Sequence, residues 1–134
     1  MKRIRLIKFR IVKDRRGNLA FIEGMKDARF QIRRIYYIYD VPGGSKRGGH
    51  GHKKLEQIII AINGSFDLYA TDGKQEKRFH LFKPDHGVFL PKNTWREITN
   101  FSSGAVCLVI ASQRYNIKDY LHTYTEFKKW TARK

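Results

Sequence analysis

Apolar residues along this chain come in short clusters rich in Ile, Val, Tyr and Phe, separated by turns built from Gly, Asn, Asp and Pro. Such clusters read as strands, because β-branched and aromatic side chains fit a pleated, half-buried surface. The pattern predicts strands at Ile4 to Phe9, Leu19 to Glu23, Ile32 to Tyr39, Leu55 to Ile62, Phe66 to Thr71, Glu76 to Leu81, Gly87 to Leu90, Trp95 to Thr99 and Ala105 to Ala111. In the strand at 66–71, Phe66, Leu68 and Ala70 face one way while Asp67, Tyr69 and Thr71 face the other. Asn63-Gly64 and Asp72-Gly73 each predict a tight hairpin, since these residues tolerate positive φ. No crossover helix separates the strands, which excludes a doubly wound α/β sheet and favours a sandwich or small barrel. From Asp119 the period changes: Tyr120, Tyr124, Phe127 and Thr131 recur at helical spacing and predict a C-terminal helix. Short and mixed in character, it suits a lid packed on the sandwich better than a membrane-binding helix.

The chain's 134 residues are enough for one compact domain, expected over 1–134, and too few for two ordinary ones. Lys and Arg number 28 against 12 Asp and Glu, and the resulting charge of +16 favours an anionic partner without identifying it. The longest wholly apolar run, Ala105 to Ala111, is far too short for a membrane-spanning helix, so no membrane partner is expected. Charges interrupt the start MKRIRLIKFR before a secretion signal can form. The single Cys107, inside GAVCLVIA, reads as a buried reduced thiol. A cytoplasmic protein is therefore expected.

His50 and His52 are two apart, so on an extended chain both rings face the same way. Glu56 shares their parity unless the HGHKK stretch turns. Two imidazoles and a carboxylate can bind a transition metal, move protons in a dry pocket, or serve only as structural hydrogen-bonding groups.

The spacing of Gly44, His50-Gly51-His52, Glu56 and Gly64 resembles the first motif of the cupin superfamily, and GVFLPKNTWREITN, with Gly87, Pro91 and Asn100, resembles the second. Arg96 stands where metal-binding cupins have a histidine. A guanidinium offers a metal no lone pair and adds positive charge, so no metal and no cofactor are expected. A closer resemblance covers nearly the whole chain. IRRIYYIYD at 32–40, RGGHGHKKLEQ at 47–57, NGSFDLY at 63–69, PKNTWREITNFSS at 91–103 and VIASQRYNIKDY at 109–120 are similar, in order, to segments of the dTDP-sugar 3,4-ketoisomerases. The resemblance implies a mostly β, metal-free cupin double-stranded β-helix (jelly roll) with a C-terminal helix, forming a homodimer with one pocket in each barrel. It carries the family's paired histidines onto His50 and His52 and brings Arg47 and Tyr37 to the bound sugar nucleotide. The chain departs from the family at Gly51, where Ala or Ser is common, at Trp95-Arg96-Glu97 in place of Trp-His-Glu, and in the tail Ser112-Gln113-Arg114-Tyr115-Asn116.

Moving a carbonyl from C4 to C3 of a dTDP-linked keto-deoxysugar needs a group able to take and return a proton, which histidine does near neutral pH. His50 is the expected carbon acid-base, with His52 moving protons between oxygens or orienting its neighbour. Tyr37, or Arg96 if it points inward, would stabilise the enediolate; Tyr36, the alternating neighbour, would fill the core. Glu56 would accept a hydrogen bond from a histidine or tyrosine, or form an ordinary ion pair. Arg47 and then Arg33 are the candidates for the diphosphate, and Tyr115 for the nucleobase platform. The competing readings are a related sugar-nucleotide epimerase and a non-enzymatic cupin that binds an anionic carbohydrate or nucleotide. Nucleic acid is not the expected partner, because aromatic residues interleaved with arginines in IRRIYYIYD also suit a core strand.

Overall fold

Ten strands of this chain pair into two five-stranded antiparallel sheets, in the computed structural model that describes residues 2–133. Numbered in chain order, the first sheet runs β1 (Arg5–Lys8), β9 (His86–Leu90), β6 (Gln57–Asn63), β11 (Val106–Ala111) and β4 (Arg34–Ile38). The second runs β12 (Tyr120–Leu121), β5 (Arg47–His52), β10 (Thr94–Thr99), β7 (Phe66–Thr71) and β8 (Glu76–Leu81). A small hairpin, β2 (Arg10–Val12) and β3 (Leu19–Phe21), stands apart from both, and the helix α1 (Tyr124–Ala132) follows β12. This is the mostly β jelly roll with a C-terminal helix that the resemblance implies, and no helix in the described residues is long and apolar enough to cross a membrane.

Burial explains the sequence pattern. The continuous run IIIAI in β6 has no polar face because this central strand of the first sheet is covered on both sides from Ile58 to Ala61. Ile59 and Ala61 join Phe66, Leu68, Val88, Ile98 and Val109 between the sheets. Ile58 and Ile60 face outward with Phe89 and Ile110, under Phe9, Ala28 and Phe30 from the N-terminal segment. On the outer face of the second sheet, α1 lays Phe127 against Trp95 and Leu121. The fully buried Arg96, on β10 beside Trp95, therefore points into the space between the sheets.

Two expectations change at the level of elements. Asn63-Gly64 does not close a hairpin, since β6 and β7 lie in different sheets, and the turn carries the chain across the sandwich. It is held by hydrogen bonds from Ser65 N to Ser102 Oγ (2.9 Å) and from Asn63 Nδ2 to the Gly104 carbonyl (2.8 Å). Asp72-Gly73 does join a paired hairpin, β7 to β8. The predicted helix starts five residues late, at Tyr124, because Thr123 Oγ1 accepts from Glu126 N as an N-cap. Tyr120 and Leu121 instead pair with His52 and Gly51.

Candidate active site

β5 reads RGGHGH and owes its extended form to pairing on both sides, with β10 and β12. That pairing aims His50 and His52 between the sheets, where the rings meet edge to face at 4.9 Å. Tyr120, opposite His52 on β12, packs its ring 4.9 Å from His50 and 4.6 Å from His52. Arg96, opposite His50 on β10, donates from Nη2 to His50 Nε2 (3.0 Å) and to the Tyr36 hydroxyl (2.9 Å). An arginine only donates, so Nε2 is the accepting nitrogen and a neutral His50 carries its proton on Nδ1. The Tyr36 hydroxyl also lies 3.5 Å from Gln57 Oε1. Among the described residues neither nitrogen of the buried His52 has a hydrogen-bond partner, and Nδ1 stands 3.6 Å from Asp119 Oδ2.

Burial first, and then the Arg96 charge, push His50 down to about 3 and His52 to about 2. Both rings are therefore neutral at neutral pH. Among the described residues Arg96 Nε and Nη1 are buried without a hydrogen-bond partner, so the guanidinium brings positive charge and spare donors to the site. Among the described residues no three His, Cys, Asp or Glu side chains gather to hold a metal. Two neutral imidazoles, a phenol and a guanidinium are suited to moving protons and stabilising an oxyanion.

Residues 2–132 match the family described as WxcM-like, C-terminal (FdtA). A TDP-4-oxo-6-deoxy-alpha-D-glucose-3,4-oxoisomerase from Aneurinibacillus thermoaerophilus is 40% identical over 129 residues, covering 96% of this chain and 93% of the relative. The chain belongs to this family of dTDP-sugar 3,4-ketoisomerases. Two solved ketoisomerases share its fold. One, from Helicobacter canadensis, aligns with a TM-score of 0.92 at 42% identity over 96% of this chain and 97% of its own. The other is a histidine-to-asparagine variant of QdtA from Thermoanaerobacterium thermosaccharolyticum, solved with TDP-4-keto-6-deoxyglucose. It aligns with a TM-score of 0.94 at 36% identity over 100% of this chain and 97% of its own.

Within this ketoisomerase fold the predicted site residues divide. His50, His52 and Arg96 meet between the sheets. Arg47 and Tyr115 are exposed nearby: the Arg47 charge bears on His50, and the Tyr115 ring lies 5.7 Å from Tyr120. Tyr37 and Arg33 do not join them. Both sit on the outward parity of β4 and its approach, Tyr37 exposed against Tyr39 and Arg33 bonded to Gln31 Oε1. Their neighbours take the inward parity, with Tyr36 on Arg96 and Arg34 lying over the rings of Tyr36 (5.0 Å) and Tyr115 (5.7 Å). Of the two readings of Glu56, the structure takes the ordinary ion pair. The bend at 53–54 breaks its parity with the histidines, and it pairs with Lys2 at 2.8 Å in a cleft lined by Arg3, Lys54, Lys92 and Lys128. Gln57 takes the inward place instead. The reading of the sequence missed Tyr36, Arg34, Gln57, Asp119 and Tyr120 as site residues. Strand alternation from Ile38, an inward core residue, would have found the first two. Asp119 and Tyr120 come from a tail that only tertiary pairing brings to β5.

Proposed function

We propose that this ketoisomerase converts dTDP-4-keto-6-deoxyglucose to its 3-keto isomer with His50 as carbon base. The observation that carries the reading is the Arg96 guanidinium bonded at once to His50 Nε2 and the Tyr36 hydroxyl. In the free site that donor occupies the base's lone pair. A sugar whose C4 carbonyl takes the Arg96 hydrogen bond frees Nε2 to accept the C3 proton, and the C3–H electron pair moves to form a C3=C4 enediolate. The negative charge on O4 then faces the Arg96 and Tyr36 donors, which need no reorganisation to receive it. A proton passes from the O3 hydroxyl to O4, for which the neighbouring His52 is the candidate carrier, and His50 returns its proton to C4. The C3 carbonyl forms as the double bond is lost. A base held at about 3 is too weak for neutral pH. Burial is the largest cause of that depression, and the substrate's diphosphate relieves the part that comes from the Arg96 and Arg47 charges. Arg34 and Arg47 are the cations best placed for that diphosphate, and Tyr115 supplies an aromatic platform for the base.

The test is incubation of metal-stripped protein with dTDP-4-keto-6-deoxyglucose, followed by identification of the carbonyl position and the C4 configuration. A 3-keto product supports the reading. A sugar inverted at a carbon beside an unmoved C4 carbonyl means epimerisation, and binding without turnover means a non-enzymatic cupin.

The exposed apolar face of β4 supports assembly as a homodimer. Ile35 and Tyr37 are 58% and 61% exposed on the outward parity of an edge strand, a surface that a second copy can cover. The buried free Cys107 fits a reducing compartment such as the cytoplasm.

A further inference from the structure

Asp119 is only 8% exposed and is bound to the turn after β5 through three backbone amides. Its Oδ1 accepts from Lys54 N (2.8 Å), its Oδ2 from Leu55 N (3.2 Å), and its carbonyl from Lys53 N (3.0 Å). These bonds hold the carboxylate in one orientation, with Oδ2 also turned to His52 Nδ1 at 3.6 Å. Among the described residues no other acid forms an ion pair with His52. Its ring is sealed, edge-on to His50 and Tyr120, and its two nitrogens have no other polar neighbour within hydrogen-bond reach. A neutral imidazole has one N–H, and beside a fixed carboxylate that proton belongs on the near nitrogen. We propose that Asp119 is a positioning residue that holds His52 in the Nδ1–H tautomer, leaving the Nε2 lone pair to carry protons between the sugar's O3 and O4. The 3.6 Å gap is long for a hydrogen bond in the free site; the bond tightens as His52 takes up the proton and becomes positive beside Oδ2.

This inference rests on the ketoisomerase reading, but its test is separable from it. In Asp119→Asn the amide can turn its NH2 toward Nδ1, which forces the proton to Nε2 and removes the working lone pair. We expect kcat to fall by about 10²-fold or more, as happens when an orienting carboxylate is amidated in other histidine-based sites, with KM changed less than about threefold. The carbon step belongs to His50, so exchange of the substrate's C3 hydrogen with D2O should persist in the variant while net isomerisation is lost. A structural role alone would depress both together, and equal loss overturns the proposal. If the variant fails to fold, 15N shifts of the imidazoles in the unsubstituted protein still decide: His52 protonated on Nδ1 supports the proposal and His52 protonated on Nε2 overturns it. The NMR measurement needs no turnover, so failure of the ketoisomerase reading would show instead as an unsubstituted protein with no product and no C3 exchange.

Discussion

Tyr36 and Tyr37 are adjacent, chemically identical and on opposite faces of β4, which makes them each other's control. The Tyr36 hydroxyl accepts from Arg96 inside the barrel, while Tyr37 stands exposed beside Tyr39. Removing the Tyr36 hydroxyl takes one donor from the enediolate oxygen, and a lost oxyanion donor costs about 10² in kcat. Tyr36→Phe should therefore lose turnover on that scale, while Tyr37→Phe should stay within about twofold, the range of an exposed substitution. The reverse ranking, read from initial rates on the same sugar nucleotide, would return the role to Tyr37. The histidines also link acidity to stability. His50 and His52 are pushed down to about 3 and about 2 in the fold by burial and by Arg96, and they return to the ordinary 6.5 when unfolded. Below pH 6.5 the unfolded chain binds protons that the native site refuses, so stability is complete above that pH and falls as pH drops toward 3. A fully shifted histidine gives a slope of about 1.4 kcal/mol per pH unit. Urea unfolding at pH 7 and pH 5 should show a clear loss at the lower pH, and equal stability would mean that the rings are not held neutral by their surroundings.

A turn packed tightly against another segment tolerates an added side chain less than an open turn does. Gly64 has φ 66°, and a Cβ there would collide with Ser102 Oγ and come within 2.9 Å of the Ala105 Cα. Gly104, with φ 73°, has no atom nearer than 3.7 Å to its virtual Cβ. Gly64→Ala should cost about 2–4 kcal/mol, strain plus overpacking, and Gly104→Ala only the backbone strain of about 1–2 kcal/mol. Thermal melts that show equal losses would refute the close approach. These same elements mark how far the sequence could be read. The apolar runs at 58–62 and 106–111 were legible as strands because burial against the core and under the N-terminal segment leaves them no polar positions. Nothing local says that β6 and β7 belong to different sheets, which follows from contacts between Ser65 and Ser102. The site strand β5 was the hardest to see, since RGGHGH has the composition of a turn and is straightened only by its neighbours. The paired histidines were legible from spacing and Arg96 from resemblance. The inward tyrosine and arginine of β4 were missed by one residue, and in a period-2 strand that slip exchanges the core face for the solvent face.

On the scale of the molecule, the charge of +16 sets the energetics of any self-association. Two copies meeting through the outward faces of β4 would cover Ile35, Tyr37 and the exposed Tyr39, continuous with Leu108 opposite Tyr37 on β11. The N-terminal strand is not needed for that contact, because β1 already pairs with β9 of its own chain through Arg5 and Phe89. Apolar burial favours the dimer, while repulsion between two strongly basic surfaces opposes it. The two terms respond differently to salt. Apolar burial changes little between 50 and 300 mM, while the screening length falls from about 14 Å to about 6 Å and removes most of the repulsion. The dimer should therefore tighten with added salt, by roughly three- to tenfold in Kd over that range, contrary to an interface held by ion pairs. Light scattering should give a mass near twice 15.8 kDa, and Ile35→Glu, placed on the covered face away from the histidines, should give monomers that retain secondary structure. A mass of one chain at every salt concentration would show that β4 has no self-partner, and a dimer that weakens with salt would place its interface among charged residues elsewhere on the surface.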